Sequence, residues 1–305
     1  MDERFADVGN GITLCYETFG DPASPPLVLV MGLGTQMIAW DTRFCEDLAG
    51  RGFNVVRFDN RDTGRSTRLD GAPVPRLREI MLRRIPRPAY KLADMALDTV
   101  GLMDVLGFER AHVVGVSMGG MIAQTVAARH PSRVRSLTSI MSNTGALLTG
   151  QPALKTYPVL LGAAPTDREG YIEHAARSWT VIGSPGFERD ELELREMLAL
   201  SFDRGASPAG TARQLGAIIA SGDRRRELRA VHAPTLVIHG EADKLVSPSG
   251  GRATARAIQG ARLITIPGMG HDLPQPAWPQ IIGAIADHAR AADVAAGDEP
   301  AVRAA

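Results

Sequence analysis

Cysteine is nearly absent: Cys15 and Cys45 are the only two in 305 residues. That supply cannot build a disulfide framework or a cysteine-based metal site, and it points to a reducing, cytoplasmic setting. Met1 to Asn10 lack the basic, apolar and small-residue succession of a secretory leader, and no apolar run approaches the roughly 20 residues that cross a bilayer. No integral membrane association is therefore expected. Nor is there an excess of charge of one sign, since 34 basic side chains stand against 34 acidic ones. The chain thus carries no global electrostatic footprint for nucleic acid. What is present is ample material for a core: 44% of residues are apolar and 22% charged, which excludes a broadly disordered chain.

The first half alternates short apolar runs with amphipathic stretches, the pattern of a wound parallel sheet. Leu27 to Met31, Asn54 to Asp59, His112 to Val116 and Ser136 to Met141 read as buried strands. Leu92, Met95, Ala96, Thr99, Val100, Met103 and Leu106 recur at helical spacing, with Asp94, Asp98 and Asp104 mostly off that stripe and Gly107 as a terminating glycine. From about Ser142 to Ala230 only helices are expected. Thr166 with Glu169 suggests a capping box, Asp190 to Phe202 is rich in Leu, Glu and Met, and Ser207-Pro208 places a cap before an N1 proline. Sheet logic resumes with Thr235 to His239, a helix around Ala253 to Ile258, the strand Arg262 to Ile266, and a last helix carrying Ile281, Ile282 and Ile285. This predicts an α/β core from residues 1–141 and 231–292, a helical cap at 142–230, and a frayed tail at 293–305.

The segment Val113-Val114-Gly115-Val116-Ser117-Met118-Gly119-Gly120-Met121 runs a buried strand through Gly-x-Ser-x-Gly into a helix. A serine on so sharp a turn sits in a strained conformation, and glycines two residues to either side relieve the crowding. The following helix aims its first amides and positive dipole end at the same place. A serine hydroxyl is a poor nucleophile without a base, and the base needs a third group to fix its tautomer. Asp243 stands just past the strand Thr235 to His239, and His271 follows Arg262 to Ile266 on the glycine-rich loop Pro267-Gly268-Met269-Gly270. The order serine, aspartate, histidine is that of a hydrolytic triad. Glu241 and Asp272 are rival carboxylates. The other six histidines read as structural or exposed. Oxyanion donors are expected at the Met118 amide and, after the strand Leu27 to Met31, at Leu33 within Gly32-Leu33-Gly34.

These residues, with Leu29-Val30-Met31-Gly32, Phe58-Asp59-Asn60-Arg61-Asp62-Thr63-Gly64-Arg65-Ser66 and Ala111 to Gly119, make the whole chain resemble the α/β-hydrolase superfamily. Within it the chain is similar to the group containing aclacinomycin methylesterase and related actinobacterial lipases and esterases. The resemblance implies a mostly parallel central sheet with helices on both faces, an inserted helical lid, and nucleophile, acid and base at Ser117, Asp243 and His271. It implies a serine hydrolase acting on a small-molecule carboxylic ester through an acyl-enzyme, with no cofactor or metal. Lipid acyl or thioester hydrolysis, acyl transfer and perhydrolysis would use the same triad. A binding module without turnover would usually have lost a triad member, and all three are here.

Two features bear on substrate and partners. Gly145, Gly162, Ala163, Ala164 and Gly183, together with Met and Leu side chains, suggest a cap with room for a bulky hydrophobic acid. Trp179, Tyr157 and Phe202 either stack on flat rings or pack the cap's own core. The segment Arg68 to Lys91 carries seven basic side chains against Asp70 and Glu79. Its apolar members Ile80, Met81, Leu82 and Ile85 allow a basic amphipathic surface for lipid or an acidic ligand, or a solvated face that touches the cap.

Overall fold

A computed structural model describes residues 2–157, 162 and 165–297. Eight strands form one sheet among these residues: β1 (Arg4–Asp7), β2 (Thr13–Phe19), β3 (Pro26–Val30), β4 (Asn54–Phe58), β5 (Ala111–Val116), β6 (Val134–Ile140), β7 (Thr235–Gly240) and β8 (Arg262–Ile266). Their order is β1-β2-β4-β3-β5-β6-β7-β8. β3 to β8 run parallel, and only β2 against β4 and β1 against β2 are antiparallel. The sequence reading found the six parallel strands and missed the opening pair. β4, β5 and β7 are buried along their whole length, as strands covered on both faces must be.

The covering helices are α1 (Thr42–Gly50), α3 (Leu92–Val105), α4 (Met118–Arg129), α9 (Ser249–Ala257) and α10 (Trp278–Ala296), with the short α2 (Leu77–Met81) preceding α3. One face packs Trp40, Phe44 and Leu48 with Ile281, Ile282 and Ile285 against β3, β5 and β7. The opposite face packs Leu92, Met95 and Met103 with Ile122 and Val126. Asp98, one of the three acids read as mostly off the apolar stripe, is buried and paired with Arg61.

The expected frayed tail is corrected at its start. α10 continues to Ala296, and Asp293 is buried because its carboxylate meets His112 Nε2 at 3.2 Å and Arg135 at 3.0 Å. Residues 298–305 of that expectation lie outside the described residues. Between β6 and β7 come α5 (Arg168–Ile182), α6 (Glu191–Asp203), α7 (Pro208–Ser221) and α8 (Arg225–Leu228), with no strand among the described residues. Asp167, not Thr166, caps α5, because its carboxylate is the one that accepts from Gly170 N–H. Ser207 caps α7 with Pro208 at its first position, as expected.

Candidate active site

The carboxyl-terminal ends of β3, β5, β7 and β8 open side by side, where an α/β sheet leaves its functional loops. Ser117 occupies the turn from β5 into α4 at φ 55° and ψ −118°, a conformation that L residues avoid. Its glycines have separate tasks. A Cβ on Gly115 would come within 2.1 Å of the Gly119 carbonyl, and one on Gly119 within 2.0 Å of the Val30 carbonyl. Ser117 N–H donates to Ile140 on β6, and Ser142 Oγ donates to the Ser117 carbonyl, so the strained turn is held from the neighbouring strand.

His271 and Asp243 converge on this serine. His271 Nδ1 lies 2.8 Å from Asp243 Oδ2, and its Nε2 lies 2.9 Å from Ser117 Oγ. With Nδ1–H donated to a carboxylate, Nε2 is the ring nitrogen left to accept the serine proton. The other oxygen of Asp243 accepts the amides of Leu245 and Val246, both at 2.9 Å. Burial alone would raise the Asp243 carboxyl, but His271, His239 and their hydrogen bonds outweigh it and bring it down to about 2. The rivals are engaged elsewhere. Glu241 is exposed and accepts from Thr265 Oγ1, while Asp272 accepts from Ser184 Oγ; burial pushes the Asp272 carboxyl up despite that bond.

The sequence reading did not anticipate the part of His239. It is fully buried, donates Nε2–H to the Val246 carbonyl at 2.8 Å, and comes within 3.5 Å of Asp243 Oδ2. Gly251 closes over its other nitrogen, since a Cβ there would lie 2.5 Å from Nδ1. The clue in the sequence is its position as the penultimate residue of β7, four residues before Asp243.

On the other side of Ser117, the loop after β3 passes so close that a Cβ on Gly32 would lie 3.3 Å from Ser117 Cβ. In this loop the amides of Gly34 and Thr35 are committed, to Gln214 Oε1 at 2.8 Å and to the Gly32 carbonyl at 3.3 Å. The Leu33 amide stands between them, and Met118 opens α4 immediately after the serine. Of the two expected donor residues, Met118 follows the serine directly and Leu33 follows Gly32, which borders it.

The helical stretch between β6 and β7, the expected cap, is tied to both sides of the site. Gln214 of α7 reaches Gly34, the Arg61 carbonyl and Thr63 Oγ1, and Arg213 pairs at 2.6 Å with the buried Asp62. Arg204, next after α6, pairs at 2.9 Å with the buried Asp59. At the opposite end, His271 N–H donates to the Ile182 carbonyl at 2.8 Å, and Gly270 N–H to Ser184 Oγ, also at 2.8 Å. Two of the small residues read as cavity space, Gly145 and Gly183, serve close packing instead, and Gly162 is exposed. A Cβ on Gly145 would meet the Gly222 carbonyl at 2.0 Å, and one on Gly183 the Trp179 carbonyl at 2.6 Å; Ala163 and Ala164 lie outside the described residues. Trp179 packs with Ile172, Ala176 and Leu198 in the cap's own core, Phe202 sits 5.5 Å from the Tyr171 ring, and Tyr157 is exposed.

A doubly wound sheet with a nucleophile-elbow turn, a histidine and a buried aspartate at its carboxyl edge defines the α/β-hydrolase class. The sequence profile of the alpha/beta hydrolase fold matches residues 25–274, and the chain belongs to that family. The chain is 33% identical to the rhodomycin D methylesterase DauP of Streptomyces sp. (strain C5) and 32% identical to the rhodomycin D methylesterase DnrP of Streptomyces peucetius. Each alignment covers 93% of this chain and 97% of the relative. Among solved structures, a thermophilic esterase from Thermogutta terrifontis superposes with a TM-score of 0.71 at 22% identity, over 96% of this chain and 99% of the esterase. Among the described residues no helix is long and apolar enough to cross a membrane.

Proposed function

We propose that this chain is a serine hydrolase of carboxylic esters, acting through an acyl-enzyme, with a methyl or other small-alcohol ester of a bulky hydrophobic acid as substrate. The observation that carries the reading is the unbroken hydrogen-bonded series Ser117, His271, Asp243. In the first half-reaction Ser117 Oγ attacks the ester carbonyl and His271 Nε2 takes its proton. Asp243 holds the ring and stabilises the imidazolium, and the amides of Leu33 and Met118 receive the oxyanion. Collapse expels the alcohol, which leaves with the proton from His271. Water then attacks the acyl-enzyme with the same base, returning the free acid and Ser117.

The small alcohol is supported by the two relatives named as methylesterases. The position of the acid is supported by the cap, here assigned to residues 142–230. An acyl group seated between the Leu33 loop and His271 lies beneath a roof anchored at Gln214 on one side and Ile182 on the other. Specificity therefore belongs to the cap. Two methyl esters, one of a short acid and one of a polycyclic or long apolar acid, test the assignment. The expected result is a higher kcat/KM for the larger acid. A strong preference for the acetyl ester would contradict the substrate reading while leaving ester hydrolysis intact.

A further inference from the structure

The basic segment singled out in the sequence has no part in the site, and its surface has two properties that point the same way. The first is uncovered aliphatic area. Leu77, Met81 and Leu82 are 56%, 69% and 77% exposed, and Val74 beside them is 46% exposed. The second is unneutralised charge. Arg76, Arg78, Arg83, Arg84 and Arg87 are all exposed, and no side chain among the described residues pairs with any of them. Elsewhere on the surface arginines such as Arg43, Arg129, Arg168, Arg195 and Arg225 each meet a carboxylate. Glu79 is the one acid within residues 76–87, and its carboxylate is turned back onto Arg76 N–H at 2.9 Å. The chain leaves α2 at Arg83 with φ 49°, a left-handed turn at a position usually given to glycine. The aliphatic and basic side chains thus share one short, solvent-facing projection of the chain, residues 74–87.

We propose that this projection, residues 74–87, docks the protein on an anionic lipid surface. Apolar side chains at the boundary sink among acyl chains while long guanidinium-tipped ones reach the phosphates, and the attraction grows with each basic group. A nucleic-acid backbone would satisfy the arginines but has no use for four exposed aliphatic side chains. The projection is anchored on the cap, since Pro75 packs against Gly216 of α7, two residues from the Gln214 that holds Gly34. Docking there brings the cap to the lipid surface. The inference holds whatever ester the site takes.

Sedimentation of the full chain with vesicles of phosphatidylcholine, with and without phosphatidylglycerol, tests it. The protein should partition onto the phosphatidylglycerol vesicles and be released by salt. Each arginine contributes roughly fivefold near such a surface, so the variant Arg78→Gln/Arg83→Gln/Arg84→Gln should bind roughly a hundredfold more weakly. Leu77→Ser/Met81→Ser/Leu82→Ser should also lose partitioning, and both variants should keep wild-type turnover of a water-soluble ester. Should the triple serine variant fail to fold, Leu82→Ser alone must weaken partitioning measurably. The proposal is overturned by absent or equal binding to the two vesicle types, or by arginine variants that bind like wild type. Serine variants that bind undiminished overturn it as well, and competition by single-stranded DNA would then mark the patch as a plain polyanion contact.

Discussion

At Ser117 the chain accepts a backbone conformation that costs about 1–3 kcal/mol in order to project one hydroxyl into the cleft. The arrangement is useful only if the three side chains act as a unit. Ser117→Ala and His271→Ala should each lower turnover by several orders of magnitude, and Asp243→Asn by about 10⁴-fold with folding intact. Steady-state kinetics on any hydrolysed ester checks this, and wild-type turnover by Asp243→Asn would return the role to another carboxylate. Because a general base must be neutral to accept the serine proton, kcat/KM should fall on acidification. An acid limb that stays flat, with chemistry rate-limiting and the fold intact, would remove His271 from the mechanism. The residues of this site were legible in the sequence because each follows a strand in a recognisable local pattern. His239 was not, since a buried histidine at a strand end looks the same whether it braces an aspartate or fills space.

Among the elements, the cap is fastened by charge as well as by apolar packing. The turn from Asp59 to Ser66, prominent in the sequence, proves to be its docking platform: Asp62 lies under Arg213 and Asp59 under Arg204. Burial would raise the Asp62 carboxyl, but Arg213, the Leu69 amide and the Tyr90 hydroxyl together hold it below its ordinary value. Arg213→Ala leaves that carboxylate buried and underpaired, so it should destabilise by about 3 kcal/mol in urea unfolding at neutral pH. Arg168→Ala, which breaks the solvent-screened pair with Asp203, should cost far less. The sign of the pH effect follows from the lowered Asp62 carboxyl. The clamp is fully present above the unfolded carboxyl range, near pH 4, and is lost as the pH falls through the lower folded value. The gap between wild type and Arg213→Ala should therefore narrow in acid. Equal costs for the two alanine variants at neutral pH would show that the clamp does not hold the cap. Helix caps and composition gave the starts of α5, α6 and α7 to within a residue or two, whereas their tethers join positions from 86 to 180 residues apart, which local patterns do not encode.

For the whole molecule, hydrophobic runs marked β3, β5 and β7 because strands covered on both faces are mostly apolar. β1 escaped because it is an edge strand in which Arg4 and Asp7 interrupt the apolar run, and β2 because Thr13, Glu17 and Thr18 interrupt its own, Glu17 being buried against Arg57. The extent of α10 escaped for a different reason, since Asp293 reads as a surface residue until His112 and Arg135 are brought to it by the fold. On the proposed reading these parts serve one end: the sheet, the elbow and the cap make Ser117 a nucleophile. A fluorophosphonate probe with intact-mass readout tests that claim most directly. Wild type should gain a single adduct located on Ser117, and Ser117→Ala should gain none. An unmodified wild-type protein that is folded, or an adduct that persists in Ser117→Ala, would contradict it.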